Sequence, residues 1–248
     1  MRIAISGTAG QGKSTLIEKF LHKWDMYKTP SQTYRDMIKR NGLPHSSSTT
    51  TETQLMILDW ITKVQENFKE QEHIIYDRCS WDNLAYSLEA NERNELSDEV
   101  MAAIIDIVKA SFKNIDIIFW LKYDPDIKIV DDGEREVDVE YIKKIDSIFS
   151  DLYKQWLDHL GETPFYIPED CPAIIPIPIE CKTIDDRVNW IGEFVDSDGG
   201  LVTTEKSVLD PENLEMLEQM MKEQQMWTEK DNEYQKVVEN IKSLNPDE

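Results

Sequence analysis

The string Gly7-Thr8-Ala9-Gly10-Gln11-Gly12-Lys13-Ser14 constrains this chain more than any other feature of its sequence. It fits the phosphate-binding pattern GxxxxGK followed by Ser or Thr at every defined position. Glycines are needed where the chain turns tightly enough for backbone amides to point inward around a phosphate. Lys13 neutralises the outer phosphates, and Ser14 offers a hydroxyl to magnesium. Directly before the string, Arg2 to Ser6 alternates apolar and small residues, as a buried strand does. Directly after it, Leu16, Phe20, Leu21 and Trp24 fall near helical spacing from about Lys13 onward. A strand, a phosphate-holding turn and a helix in that order open a parallel sheet. Gly7, Thr8, Ala9, Gly10, Gln11, Gly12, Lys13, Ser14 and Thr15 then form the nucleotide site, with ATP and Mg2+ as the implied cofactors. Lys13 is expected to be solvated.

The rest of the chain keeps alternating. Met26 to Thr29 reads as a short strand, Ser31 to Arg40 as a helix ended by Asn41-Gly42, and Pro44 to Thr51 as a polar loop. Thr51 is the expected N-cap of a helix to about Glu70, with Leu55, Leu58, Ile61, Val64 and Phe68 as its buried stripe. His73 to Tyr76 is a β-branched run that stops at Asp77-Arg78. Helices follow from Trp81 to about Ala90 and from Ser97 to Phe112, the second burying Val100, Ile104, Ile107 and Val108. Ile115 to Leu121 is the most apolar run and reads as a central strand covered on both faces. A helix from Val139 to about Leu160 comes next. Phe165 to Ile167 or Ala173 to Ile179 supplies the last strand. Such alternation predicts an α/β fold with a doubly wound parallel sheet.

Length allows one domain of roughly 200 residues and an appendage rather than two full domains. Residues 1–195 are the expected phosphoryl-transfer domain. From about Asp196 the chain becomes more acidic, and Asp198-Gly199-Gly200 reads as a flexible joint. Asp210-Pro211-Glu212 then opens an acidic helical extension with Leu214, Leu217, Met221, Tyr234, Val237, Val238 and Ile241 at helical spacing. Its apolar stripe docks on the core or on a second copy, so a homodimer through these helices is one expectation.

The net charge of -22 disfavours phosphate backbones and anionic lipid as partners, because they repel such a chain. A small anion held by local cations is still allowed. Cys79, Cys171 and Cys181 show no paired spacing, and no run reaches the ~18 apolar residues of a membrane span. No membrane is expected; the expected compartment is the cytoplasm, that of the host if the source is viral.

Two further motifs carry chemistry. Asp77-Arg78 ends a parallel strand, where carboxyl ends face the ligand crevice. The aspartate there can serve magnesium or take a proton from an attacking hydroxyl, and the arginine can neutralise phosphate. Asp131-Asp132-Gly133-Glu134-Arg135 follows the central strand, and Arg135 can swing over the phosphates as a lid closes. Tyr34 and Trp81 are placed near the crevice as faces for an acceptor base. Trp60, Trp120 and Trp156 are read as core, His45 as solvated on its loop.

The succession GTAGQGKST, IIYDRCSWDNLAYS, IDIIFWLKYDPDIKIVDDGEREVD with Ile145-Asp146, and TIDDRVNWI resembles the NadR-type AAA kinases. These are related to ribosylnicotinamide kinase and, more distantly, to thymidylate and deoxynucleoside kinases. The resemblance spans about residues 1–195. It implies Lys13, Asp77, Arg78 and Arg135 as catalytic, Ser14 and Asp77 as metal-site residues, and Tyr34, Arg35, Trp81 and Asp82 near the substrate. Tyr86 fills the aromatic position of the middle motif. The acid that usually precedes the arginine near Gln32 to Arg35 is missing, which puts the acceptor site in doubt.

The expected function is therefore an ATP- and Mg-dependent kinase acting on a nucleoside- or nucleotide-like small molecule. A second reading moves the phosphate to a hydroxymethylated base in viral DNA. Lys28, Arg35, Lys39 and Arg40 are its local basic cluster, and the net charge opposes it. A third is a nucleotide-binding regulator whose acidic helices engage a partner.

Overall fold

A computed structural model describes residues 1–44, 49–129, 138–158 and 172–202. The strands are β1 (Arg2–Gly7), β2 (Ile74–Asp77), β3 (Ile117–Leu121) and β4 (Ala173–Ile177). They form one sheet, all parallel, in the order β2-β1-β3-β4. Lys28 adds a parallel bridge to Ile74 beyond β2, which is what remains of the strand expected at Met26 to Thr29. The sheet thus grows outward in both directions from β1. The switch of direction lies between β1 and β3, where an open parallel sheet leaves a crevice at its carboxyl edge.

Alternation along β3 fixes the two faces. Phe119 and Trp120 are both fully buried, yet they meet opposite layers. Phe119 packs edge-on against Phe194 at 5.7 Å. Trp120 packs against Trp81 at 5.7 Å and Phe149 at 6.2 Å. Phe194 follows α7 (Ile184–Ile191), which packs with α1 (Lys13–Lys23). Trp81 and Phe149 lie on α4 (Ser80–Glu92) and α6 (Val139–Asp158). A run buried on both sides has to be apolar throughout, which is why β3 shows no alternation in its sequence.

The remaining helices are α2 (Tyr34–Asn41), α3 (Thr51–Asn67) and α5 (Asp98–Ser111). Thr33 and Asp36 form a capping box on α2, and Gly42 closes it in the left-handed conformation. On α3 the cap is Thr50 and not Thr51. Its buried residues are Thr53, Gln54, Leu58, Ile61 and Gln65, while Leu55 is exposed, so the expected apolar stripe is corrected to a partly polar one. Thr53 and Gln54 are buried because partners meet them: Gln54 donates to Thr49 at 3.0 Å and accepts from Asn83 of α4 at 3.0 Å. On α5 the buried face is Met101, Ile104, Ile105 and Val108, and Ile107 is exposed. That helix is apolar on several sides, so spacing alone does not choose the face. The last strand is Ala173 to Ile177; the alternative at Phe165 to Ile167 lies outside the described residues, as do Cys171 and His45.

The Asp198-Gly199-Gly200 joint is corrected to a locked turn. Asp196 accepts from the amides of Asp198 and Gly200, Tyr27 donates to the Gly199 carbonyl at 2.7 Å, and Trp24 donates to that of Asp196. Gly199 has φ +75°, and a Cβ there would lie 2.9 Å from both Tyr27 and His73. Glycine is required by this close approach, not by flexibility. The chain divides into two units, Met1–Val202 and Thr203–Glu248; the second, with the expected helices from Asp210, lies outside the described residues.

Candidate active site

β1 delivers the phosphate-binding turn to the switch point, and Gly7 is its first tight residue. With φ +129°, any side chain at Gly7 would collide with the Leu121 carbonyl of β3. The turn ends at Gly12, left-handed at φ 81°, which caps α1. Lys13 is buried, not solvated as expected, with 5% exposure. Its ammonium donates to the carbonyls of Gly7, at 2.8 Å, and of Thr8. Burial, aided by the neighbouring Arg78 guanidinium, holds its pKa well below the ordinary lysine value.

Asp77 closes β2 beside this turn. Ser14 Oγ donates to Asp77 Oδ2 at 3.0 Å, and Asp77 Oδ1 is buried without a protein partner. A hydroxyl and a carboxylate side by side, with one oxygen unspent, suit a magnesium ion that takes its other ligands from phosphate and water. Among the described residues no cluster of three or more His, Cys, Asp or Glu is positioned for a metal.

Arg78 departs from the strand with φ 76°, a conformation that costs a non-glycine residue roughly 1–2 kcal/mol. The turn aims its side chain under the phosphate-binding loop. Nη1 donates to the Gly7 carbonyl at 2.9 Å and to Asp82 Oδ1 at 2.8 Å, and Nε is left without a partner. The guanidinium lies between the rings of Tyr34 and Tyr86, at 5.4 and 5.3 Å. Burial opposes its charge, but those tyrosines and Asp82 outweigh it, and its pKa stands well above the ordinary arginine value.

Asp82 is 1% exposed, and its hydrogen bonds go to the phosphate-binding loop and to the turn after β2. It accepts from Ser6 Oγ at 2.6 Å, Gly7 N at 3.1 Å, Cys79 N at 3.0 Å and Arg78 Nη1. This corrects its expected place at the substrate: it carries the turn. Trp81 is corrected likewise. It is fully buried against Trp120 and Phe149 and offers the crevice no ring face. Cys79 beside them is no nucleophile, because burial and Asp82 push its thiol up to about 12.

A shallow cleft, open to solvent, runs from Asp77 and Arg78 between α3 and the loop at Thr29 to Thr33. Trp60, expected in the core, is half-buried and lines it. Gln65 lines it too, with neither amide atom hydrogen-bonded. Tyr34 and Arg35 stand beside Arg78, and Arg35 Nε donates to Tyr34 OH at 3.3 Å. Burial pushes the Tyr34 phenol up, but the two guanidiniums prevail and hold it below its ordinary value. The nearest acid in sequence, Asp36, is spent on the α2 cap. Arg135 and the acidic string before it lie outside the described residues.

Sequence reasoning missed Gln65, Asp124 and Arg187. A buried Gln without a partner has no sequence signature. Arg187, inside the quoted TIDDRVNWI, reaches the turn only through the fold, donating from Nη1 to the Gln11 carbonyl at 2.7 Å.

Comparison with known proteins accords with this geometry. A family model described as an AAA domain matches residues 2–160. No curated protein matches the sequence. Among solved structures, a deoxyadenosine kinase from M. mycoides with the products dCMP and a flexible dCDP bound is 20% identical, with a TM-score of 0.54. It covers 77% of this chain and 96% of its own. The same enzyme with bound dATP is 21% identical, with a TM-score of 0.54, covering 77% and 97%. A NadR protein in complex with NR is 12% identical, with a TM-score of 0.53, covering 82% of this chain and 53% of its own. At these identities the likeness establishes the fold alone, an α/β fold with a phosphate-binding loop after its first strand.

Proposed function

The chain belongs to the AAA domain family, and on that premise we propose that it is an ATP- and magnesium-dependent kinase that phosphorylates a nucleoside- or nucleotide-like acceptor. The observation that carries this reading is the pairing of Ser14 Oγ with Asp77 Oδ2 at 3.0 Å while Asp77, a residue that lines the cleft, keeps Oδ1 unspent. The similar structures, which hold dCMP, dATP and NR, support an acceptor of that class.

Each residue has a share of the work. Lys13 and the inward amides of Gly10 to Ser14 hold the donor phosphates. Ser14 and Asp77 would hold magnesium, which supplies neutralisation of phosphate charge. The acceptor hydroxyl lies in the cleft against Asp77, whose Oδ1 takes its proton as the oxygen bonds to the γ-phosphorus and the bond to the leaving diphosphate breaks. Arg78, held by Asp82 and by the two tyrosine rings, lines the cleft and has Nε unspent for acceptor or phosphate oxygen. Trp60 lines the cleft, and Tyr34 stands against the Arg78 guanidinium; both offer aromatic surface suited to a base. Arg135 is the candidate lid arginine.

The test is transfer of labelled phosphate from ATP to nucleosides, nucleoside monophosphates, ribosylnicotinamide and hydroxymethylated DNA. Asp77→Asn should lower turnover on the accepted substrate by about 10² or more with nucleotide affinity little changed. Near-normal turnover in that variant would leave Asp77 without a chemical role.

A further inference from the structure

Arg187 is 4% exposed, and its guanidinium bonds to no carboxylate among the described residues. Its partners are two backbone carbonyls, Gln11 O from Nη1 at 2.7 Å and Cys181 O from Nε at 3.0 Å. Asp124 acts on it through space, but the Asp124 oxygens are bound by Lys182 at 2.9 Å and by the Asp126 amide at 2.9 Å. A buried cation paired only with neutral dipoles is costly unless an anion completes its surroundings. Lys13 is in the same position, bonded to the carbonyls of Gly7 and Thr8.

We propose that Arg187 is a positioning residue for the phosphates of the bound nucleotide, acting through the Gln11–Gly12 peptide of the loop. The reason is peptide geometry. In a trans peptide the C=O of one residue and the N–H of the next point in opposite directions. Pulling the Gln11 carbonyl outward toward Arg187 therefore fixes the Gly12 N–H inward, where a phosphate oxygen accepts it. A cationic donor also polarises the peptide and strengthens that amide.

The arrangement is rigid because it closes on itself. Gln11 Oε1 accepts from the Asp124 amide at 2.9 Å, Asp124 pairs with Lys182, and Arg187 returns from α7 to Gln11 and to Cys181 next to Lys182. The α7 terminus is itself fixed by a capping box between Thr183 and Asp186. Ile184 and Arg187 flank Gly12, whose Cβ position lies 3.6 and 3.5 Å from their side chains. Arg187 thus links the donor site to an element that follows β4, far from the loop in sequence.

The inference rests on the kinase reading, and calorimetric titration separates the two. Adenosine, ADP and ATP with magnesium are titrated into the full chain and into Arg187→Gln and Arg187→Lys, with thermal unfolding confirming that each is folded. Arg187→Gln should weaken ATP and ADP by about tenfold, the loss of one charge-assisted hydrogen bond, while leaving adenosine unchanged. Arg187→Lys, which keeps the charge but cannot reach both carbonyls, should recover most of that loss. If Arg187→Gln does not fold, Arg187→Lys decides, with an expected phosphate-dependent loss of about threefold. A folded variant that binds ADP and ATP as the wild type does, or that loses adenosine equally, overturns the inference alone. A wild type that binds neither ADP nor ATP overturns the kinase reading together with it.

Discussion

Replacing Asp82 with alanine is the sharpest test of how the loop is held, because the structure assigns this residue to support and the sequence had placed it at the substrate. The carboxylate satisfies Ser6 Oγ, the amides of Gly7 and Cys79, and Arg78 Nη1, all buried. Side-chain exposure is 6% at Arg78 and 2% at Asp82, so water does not reach the pair to replace what is lost. Removing one partner of such a pair leaves a charge uncompensated and costs about 3–5 kcal/mol. The stranded amides add to this, but they share the same cavity, so the sum is not additive. For a unit of this size each kcal/mol lowers Tm by roughly 2–4 °C, giving a fall of roughly 6–20 °C. Circular dichroism on heating reads this directly. Asp82→Asn, which keeps one acceptor oxygen, should fall between wild type and Asp82→Ala. A Tm within about 2 °C of wild type, with acceptor KM raised instead, would refute the support role and return Asp82 to the substrate.

Lys13→Ala should abolish turnover, and it should also change the pH dependence of stability without nucleotide. The folded pKa of Lys13 lies below the unfolded value of about 10.4, so between the two the folded chain holds fewer protons, and stability rises with pH across that window. Urea unfolding of both proteins from pH 7 to 10 should show a steeper rise in wild type; equal slopes would contradict the burial argument. Ending the chain after Val202 should leave a folded unit with unchanged nucleotide affinity, read by gel filtration and titration. Insolubility would place residues 203–248 in the core, and a halved mass in solution would make them a dimerisation element.

What was legible in the sequence was local. The turn from Gly7 to Ser14, the end of α2 at Asn41-Gly42 and the two-sided apolar run of β3 are each written in consecutive residues. What misled was anything settled by a distant partner. Thr53, Gln54 and Gln65 are buried on α3, and a pattern of apolar residues cannot announce a polar side chain that is buried. Trp81 and Trp60 exchanged places for a related reason. One α4 ring meets Trp120 and Phe149, the α3 ring meets the cleft, and neither destination is encoded in the neighbours of either tryptophan. Gly199 has linker chemistry in sequence and a packing role in space, because Tyr27 and His73 close over it from the far end of the chain.

The strong acidity of the chain and the anion site at its first turn are reconciled by orientation at short range. Three buried cations converge on the carbonyls of the loop: Lys13 on Gly7 and Thr8, Arg78 on Gly7, and Arg187 on Gln11. The Gln11 carbonyl, drawn toward Arg187, turns the Gly12 amide the other way. Net charge governs approach over distances beyond the screening length of about 8 Å, whereas fixed dipoles and buried cations act within it. A chain carrying -22 can therefore present a local cradle for phosphate, provided that its cations are placed inside the fold. Here they are, and among the described residues only Arg78 is directly paired with a carboxylate, that of Asp82. The two without such a partner, Lys13 and Arg187, have bonds only to backbone carbonyls, which leaves an anion as the natural complement of their charge.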